Sequence, residues 1–190
     1  EEGFWISGNI ALGHRRLSII DLGLGQQPMF GNHGNAIVFN GEIYNYRELR
    51  NELISKGLVF KTDSDTEVIL HSYEVWGEAC LDRFIGMFSF ALWNPHKGEL
   101  FIARDRLGKK PFYYYHHNSI FAFASEIKAL LTLREVRENI GINPHSVSDY
   151  LSLGYILTPK TIFTGIKKLP AGHYAIYGIY DARLTLRKYW

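Results

Sequence analysis

Asparagine and glycine stand side by side at Asn40-Gly41, and the pair can do two different jobs. It often makes a tight hairpin turn, because both residues tolerate positive φ. It can also end a strand so that an amide NH₂ and a backbone N–H aim at one point. That arrangement offers two donors to an oxygen that gains negative charge during a reaction. The stretch after the pair reads as a helix rather than a returning strand. On the residues alone both readings stand, with the turn the commoner use. A second pair is charged. Arg15 and Arg16 fall in a strand-like stretch, so one guanidinium faces inward or toward a cleft and the other is solvated. Periodicity does not say which. Asp65 opens the strongest helix signal of the chain, and with Ser64 as cap its carboxylate is left for a ligand or for the helix dipole. An arginine and an aspartate on separate elements have the charges to grip the carboxylate and ammonium of an amino acid, although spacing does not show that they meet. Cys80 is the one thiol. A nucleophilic thiol needs a lowered pKa and some exposure. Cys80 lies inside a short helix between Glu78 and Asp82, so it reads as packed and unreactive.

Other chemistries are disfavoured. Gly23-Leu24-Gly25-Gln26-Gln27-Pro28 matches only half of a dinucleotide fingerprint, with proline in the place of the third glycine. Gly108-Lys109-Lys110 lacks the upstream glycine and the hydroxyl residue of a phosphate loop, so both stretches read as turns. The eight histidines are scattered. His116 and His117 are adjacent in a strand and point to opposite faces, so no metal site is expected. The 190 residues carry 21 Lys+Arg against 19 Asp+Glu, a net charge of +2, which is no footprint for nucleic acid. No run approaches the roughly 18 apolar residues of a membrane helix, and the start EEGFWISGN lacks the layout of a signal peptide. A single cysteine rules out an internal disulfide and favours a reducing, cytoplasmic setting.

The elements that would position these residues are legible in outline. Residues 10–21 read as a strand, 22–34 as a loop, 36–40 as a strand and 46–55 as a helix stopped by Gly57. Residues 58–62 read as a further strand. Ser64 and Glu67 have the spacing of a capping box, opening a helix whose apolar face holds Val68, Ile69, Tyr73 and Val75 or Trp76. A short helix is expected over 78–84, hairpins over 85–93 with 100–103 and over 112–116 with 120–124, and a short helix over 126–131. Pro144 after Asn143 starts a helix running to about Leu153, and a strand pair around Asp181 closes the chain. Clustered helices and hairpin-joined strands argue for α+β, with antiparallel sheet against helices.

Seven runs, in one order along the whole chain, resemble a known family. They are GHRRLSIIDLGLGQQPM from Gly13, FNGEIYNYRELR from Phe39, TDSDTEVILHSYEVWG from Thr62, IGMFSFALWN from Ile85, LFIARDRLGKKPFYYY from Leu100, FAFASEIKALL from Phe121 and TPKTIFTGIKKLPAGHY from Thr158. They are similar to the glutamine amidotransferase domain of glutamine-hydrolysing asparagine synthetases, a class II (N-terminal nucleophile) amidotransferase.

The resemblance implies an Ntn-hydrolase-like four-layer αββα sandwich with mainly antiparallel sheets. It implies that Arg16, rather than Arg15, takes the glutamine carboxylate, and that backbone at Ile19 and Ile20 lines the pocket. Asn40 and Gly41 become the oxyanion donors, Glu42 follows them in a binding loop, and Asp65 holds the substrate ammonium. The family nucleophile is an N-terminal cysteine whose α-amine is the base, and no residue here matches it. Residues 1–5 resemble the segment after it, so the expectation is a type-2 amidotransferase domain over 1–190 with the opening strand and helix missing. Such a fragment is expected to be inactive and, through unpaired sheet edges, prone to form a homodimer. No cofactor is expected in this domain. ATP and Mg belong to the implied synthetase domain of the same polypeptide, which would use the ammonia to amidate aspartate. The competing readings are a degenerate, non-catalytic binding module and the corresponding domain of an enzyme that amidates another carboxylate.

Overall fold

Several strands in the middle of the chain carry apolar side chains on both faces, which requires a packed layer on each side. The computed structural model describes residues 2–15 and 25–190. Its strands are β1 (Glu2–Ser7), β2 (Ile10–Arg15), β3 (Met29–Phe30), β4 (Ala36–Ile43), β5 (Gly86–Asn94), β6 (Glu99–Arg104), β7 (Tyr113–His117), β8 (Ile120–Ala124), β9 (Ile166–Lys168), β10 (His173–Gly178) and β11 (Arg183–Lys188). Its α-helices are α1 (Tyr46–Ser55), α2 (Asp65–Trp76), α3 (Ile127–Leu130), α4 (Arg134–Arg137) and α5 (Pro144–Leu153), with a 3₁₀ segment at Gly77–Arg83. One sheet has the order β11-β10-β6-β5-β4-β3, a second β8-β7-β9, and β1 pairs with β2. Every pairing among the described residues is antiparallel.

Strand alternation sorts the large sheet's side chains into two cores. Phe39, Phe88, Phe90 and Phe101 face α1 and α2 and meet Leu49, Leu53, Val68 and Ile69. Each buried phenylalanine contributes about 2 kcal/mol of transfer free energy. On the other face Val38, Ala91, Trp93 and Ile102 meet Phe112 and Tyr114 from the second sheet and Leu12 from β2. Beyond the second sheet Tyr115 and Ile166 pack on Leu130 and Val136 of α3 and α4. The order is helix, sheet, sheet, helix, the four-layer αββα sandwich expected.

The hairpins, α1, α5 and the final strand pair stand where expected. Asn143 caps α5 by accepting from the His145 N–H at 3.1 Å, and Gly154 ends it in the left-handed region at φ 77°. Four expectations are corrected. Residues 58–62 form no strand, because their backbone N–H groups turn to a side chain instead of a ladder: Lys61 N and Thr62 N donate to the Glu67 carboxylate at 2.8 and 2.7 Å. For the same reason the capping box is incomplete. Ser64 accepts from the Thr66 N–H at 3.2 Å, but Glu67 reaches past Ser64 to residues 61 and 62. The expected loop over 22–34 contains β3, and the strand expected over 36–40 runs on to Ile43. Asn40-Gly41 is therefore inside a strand, not at a hairpin turn. Expectations for residues 16–24, and so for Arg16, Ile19 and Ile20, lie outside the described residues.

A buried acid and its neighbour shape the loop between β6 and β7. Asp105, 1% exposed, accepts from Leu107 N and Lys109 N through one oxygen at 3.1 and 2.9 Å and from Lys110 N and Phe88 N through the other at 2.9 and 3.3 Å. The donors that a phosphate would need at Gly108-Lys109-Lys110 are thus already used, and the stretch is a turn as expected. Arg104 donates to the carbonyls of Lys110, Gly108 and Leu169 at 2.6, 2.7 and 2.6 Å, fastening the turn to the end of β9. Burial pushes the Arg104 pKa down, with the Asp105 charge opposing. Asp105→Ala should strand these buried N–H groups and cost about 3 kcal/mol of stability, read as a lower urea midpoint. A loss below about 0.5 kcal/mol would show that the turn forms without its anchor.

Candidate functional site

β4 has two hydrogen-bonding edges, and the register shows which groups face each. In an antiparallel pair, alternate residues turn their N–H and C=O toward opposite edges. Phe88 lies opposite Gly41, and both of its polar groups go to Asp105: its N–H to the carboxylate at 3.3 Å, its carbonyl to the Asp105 N–H at 2.8 Å. Gly41 and Phe88 are therefore a non-hydrogen-bonded pair. The N–H groups of residues 37, 39, 41 and 43 point away from β5. β3 pairs only with Ala36 and Ile37. Beyond it Phe39 N donates to Gln27 Oε1 at 2.6 Å, and Ile43 N donates to Asp65 Oδ2 at 3.0 Å. The Gly41 N–H lies between these two capped groups, and nothing among the described residues caps it.

Gly41 lines a cavity of about 770 Å³, within the range of small-molecule sites. Asn40, Glu42, Asp65, Gln27 and Ser125 share its wall. A Cβ on Gly41 would stand 2.1 Å from the Met87 carbonyl oxygen, so only glycine fits this approach of β4 to β5. Asn40 projects from the same face as Val38, toward the second sheet, and its Nδ2 donates to Ser125 Oγ at 3.4 Å. That uses one amide hydrogen, and among the described residues the other has no partner. Asn40 and Gly41 thus present a side-chain and a backbone donor to one cavity.

Asp65 is the first residue of α2 and only 5% exposed. Its carboxylate is not left wholly to a ligand, since one oxygen ties the helix start to β4. Burial pushes its pKa above the ordinary value, and the Glu42 charge adds to that push. The N–H groups of Ile43, Thr66 and Asp65 itself oppose it. Glu42 is corrected from loop to strand: it lies in β4, paired with Met87 of β5. Arg15 is solvated: its side chain is 89% exposed, ion-paired with Glu2 at 3.7 Å at the cavity rim.

Cys80 is fully buried in the α1–α2 core and absent from the cavity wall. Burial pushes its thiol pKa far up, with Asp82 and then Glu78 adding to the shift. The thiol is packed, as expected. Among the described residues no three His, Cys, Asp or Glu side chains come together to hold a metal ion, and no helix is long and apolar enough to cross a membrane. Sequence reasoning missed Gln27 and Ser125. Gln27 gave no periodic signal, since it lies in a stretch read as loop. Ser125 sits in the run FAFASEIKALL at a strand end before a helix, where a small hydroxyl residue is an ordinary choice.

The sequence profile described as a glutamine amidotransferase domain matches residues 1–190. Asparagine synthetase [glutamine-hydrolyzing] 3 of Bacillus subtilis is 39% identical over 194 residues, covering 100% of this chain and 31% of that protein. A putative asparagine synthetase [glutamine-hydrolyzing] 2 of Methanocaldococcus jannaschii is 38% identical, covering 100% of this chain and 40% of that protein. The chain therefore spans about a third of the length of these relatives. Among solved structures, the glutamine phosphoribosylpyrophosphate amidotransferase of B. subtilis in complex with ADP and GMP superposes with a TM-score of 0.64 at 20% identity, over 95% of this chain and 35% of that one. That likeness concerns the fold, an Ntn amidotransferase sandwich.

The raised Asp65 pKa has a measurable sign. The folded chain binds this proton more tightly than the unfolded chain does. Asp65 therefore opposes folding above its raised pKa, and that penalty is relieved as pH falls through it. Asp65→Asn keeps an oxygen for the Ile43 N–H and removes the titration. Between about pH 7 and pH 4, parent stability should rise relative to the variant in urea denaturation. A difference independent of pH would count against the buried charge.

Proposed function

The chain belongs to the glutamine amidotransferase domain family, and we propose that it is the glutamine-hydrolysing domain of an asparagine synthetase. One observation carries the site: a Gly41 N–H that nothing among the described residues caps, set beside the Asn40 amide, between two N–H groups that side chains do cap. In this reading the side-chain amide of glutamine enters the cavity with its carbonyl oxygen toward Asn40 Nδ2 and Gly41 N. Asp65, with Glu42 nearby, receives the α-ammonium, and Arg16 the α-carboxylate, beside Ile19 and Ile20.

The nucleophile we assign is the family's N-terminal cysteine of the intact protein, since Cys80 is buried away from the cavity. Its thiolate adds to the amide carbon, and the carbonyl electrons move onto the oxygen between the two donors. The C–N bond then breaks, ammonia leaves with the proton taken by the α-amine, and water releases glutamate from the thioester. A preorganised donor pair is worth several kcal/mol at the first step because it needs no reorientation as charge develops. ATP and Mg enter only through the synthetase portion of the intact protein. The residues described here do not fit either one: the turn at 107–110 is filled by Asp105, and no acidic cluster is present among them. The relatives' name, asparagine synthetase, supports aspartate as the final nitrogen acceptor, and in this reading the setting is the cytoplasm. A non-catalytic binding module would keep the same grip on an amino acid and lack turnover.

Two tests separate these readings. In the intact protein, Asn40→Ala should lower glutamine-dependent amidation by about 10² to 10³-fold and leave ammonia-dependent amidation unchanged. Arg16→Ala should show the same split through KM. Equal loss of both activities in either variant counts against the assigned roles. The purified 190-residue chain should release no glutamate from glutamine, with or without Cys80→Ala. Release that Cys80→Ala abolishes would restore Cys80 as the nucleophile.

A further inference from the structure

An asparagine amide stabilises a developing oxyanion only if its nitrogen already points at the right place. Two side-chain torsions separate that nitrogen from the backbone, so strand geometry alone does not aim it. Among the described residues the structure shows one partner for the Asn40 amide. Ser125 Oγ accepts from Asn40 Nδ2 at 3.4 Å, across the cavity and 85 residues away in sequence. The two residues hang from different sheets. Asn40 is anchored opposite Ser89 in β4–β5, while Ser125 follows Ala124, which pairs with Tyr113 in β7–β8. Ser125 also sits two residues before α3, next to its cap residue Glu126, and Leu130 of that helix is 2% exposed in the third core. Asn40 is half-buried and Ser125 exposed, and each is placed by the paired strand that it belongs to or follows.

From this geometry we propose that Ser125 is a positioning residue for glutamine hydrolysis, holding the Asn40 amide so that its second N–H faces the reacting oxygen. The inference rests on the oxyanion role proposed for Asn40. The serine need not touch substrate. Its hydroxyl takes one amide hydrogen, which turns the amide nitrogen into the cavity and directs the remaining hydrogen toward the side of the Gly41 N–H. Without it the amide samples rotamers that aim its carbonyl oxygen or nothing at the oxyanion, and the donor pair loses its preorganisation. The grip on the amino-acid end, through Asp65 and Arg16, does not depend on it. The effect therefore falls on the chemical step rather than on ground-state binding.

The test uses glutaminase turnover of the intact protein. Ser125→Ala should lower kcat about tenfold with KM changed by less than about twofold, because a misplaced donor weakens only the transition-state contact. Ser125→Thr, which keeps the hydroxyl, should restore at least half of the lost kcat. In the double variant Asn40→Ala/Ser125→Ala, kcat should match that of Asn40→Ala alone, since the serine acts through the asparagine. If Asn40→Ala abolishes turnover while Ser125→Ala is unaffected, the positioning role is overturned and the oxyanion reading stands. If Asn40→Ala itself keeps full kcat, the oxyanion reading falls, and the positioning role with it. A Ser125→Ala variant with raised KM, a lowered melting temperature and no rescue by threonine has a merely structural defect, which also overturns the proposal.

Discussion

A strand edge that its neighbour covers only in part governs this molecule. β4 is paired along one side by β5, but on the other β3 reaches only to Ile37. Every further N–H on that side needs an acceptor, because a buried and unpaired donor costs about 1–3 kcal/mol. Gln27 supplies one at Phe39, and Asp65 supplies another at Ile43. The gap between them falls at Gly41, where any side chain would collide with the Met87 carbonyl. Among the described residues, steric exclusion and an uncapped donor thus coincide at one position, and the rest of the site is arranged around it.

The same interactions tie the layers together. Asp65 begins α2 yet bonds to β4, so the helix start and the donor strand share one wall of the cavity. Glu67, two residues on, holds residues 61 and 62 against the helix and keeps its first turn from drifting. On the far side of the large sheet's pairing, Asp105 takes both polar groups of Phe88, which is what turns Gly41 outward. Arg104 completes that brace by binding three carbonyls, one of them at the end of β9. The charge of the cavity follows from these placements: Glu42 and Asp65 make one wall acidic, while Lys110 brings a positive charge to its lining. Burial of Asp65 has a real cost, expressed in its raised pKa, and an ammonium group from a ligand is the kind of partner that offsets it.

Local pattern carried most of the secondary structure into view. Apolar spacing placed α1, cap chemistry placed α5, and turn residues placed both hairpins. It failed where a side chain outcompeted a neighbouring strand, as at residues 58–62, and where a pair with strong turn chemistry was absorbed into a longer strand, as at Asn40-Gly41. The family resemblance, not periodicity, pointed to Asn40, Gly41 and Asp65 as one site. Nothing in the chain's local pattern marked Gln27 or Ser125, because neither is unusual for its immediate surroundings.

The division has a physical cause. Periodicity, capping and composition report on residues within a few positions of one another, so the sequence by itself determined the α+β class, the antiparallel hairpins and the packed setting of Cys80 beside two acids. The contacts that make the site join residues 12, 22 and 85 positions apart. Which N–H groups of β4 face outward depends on its register against β5, and which acceptor meets each depends on how two sheets and a helix start pack. Only the tertiary structure could decide that Phe39 and Ile43 lose their donors to side chains while no described residue takes that of Gly41.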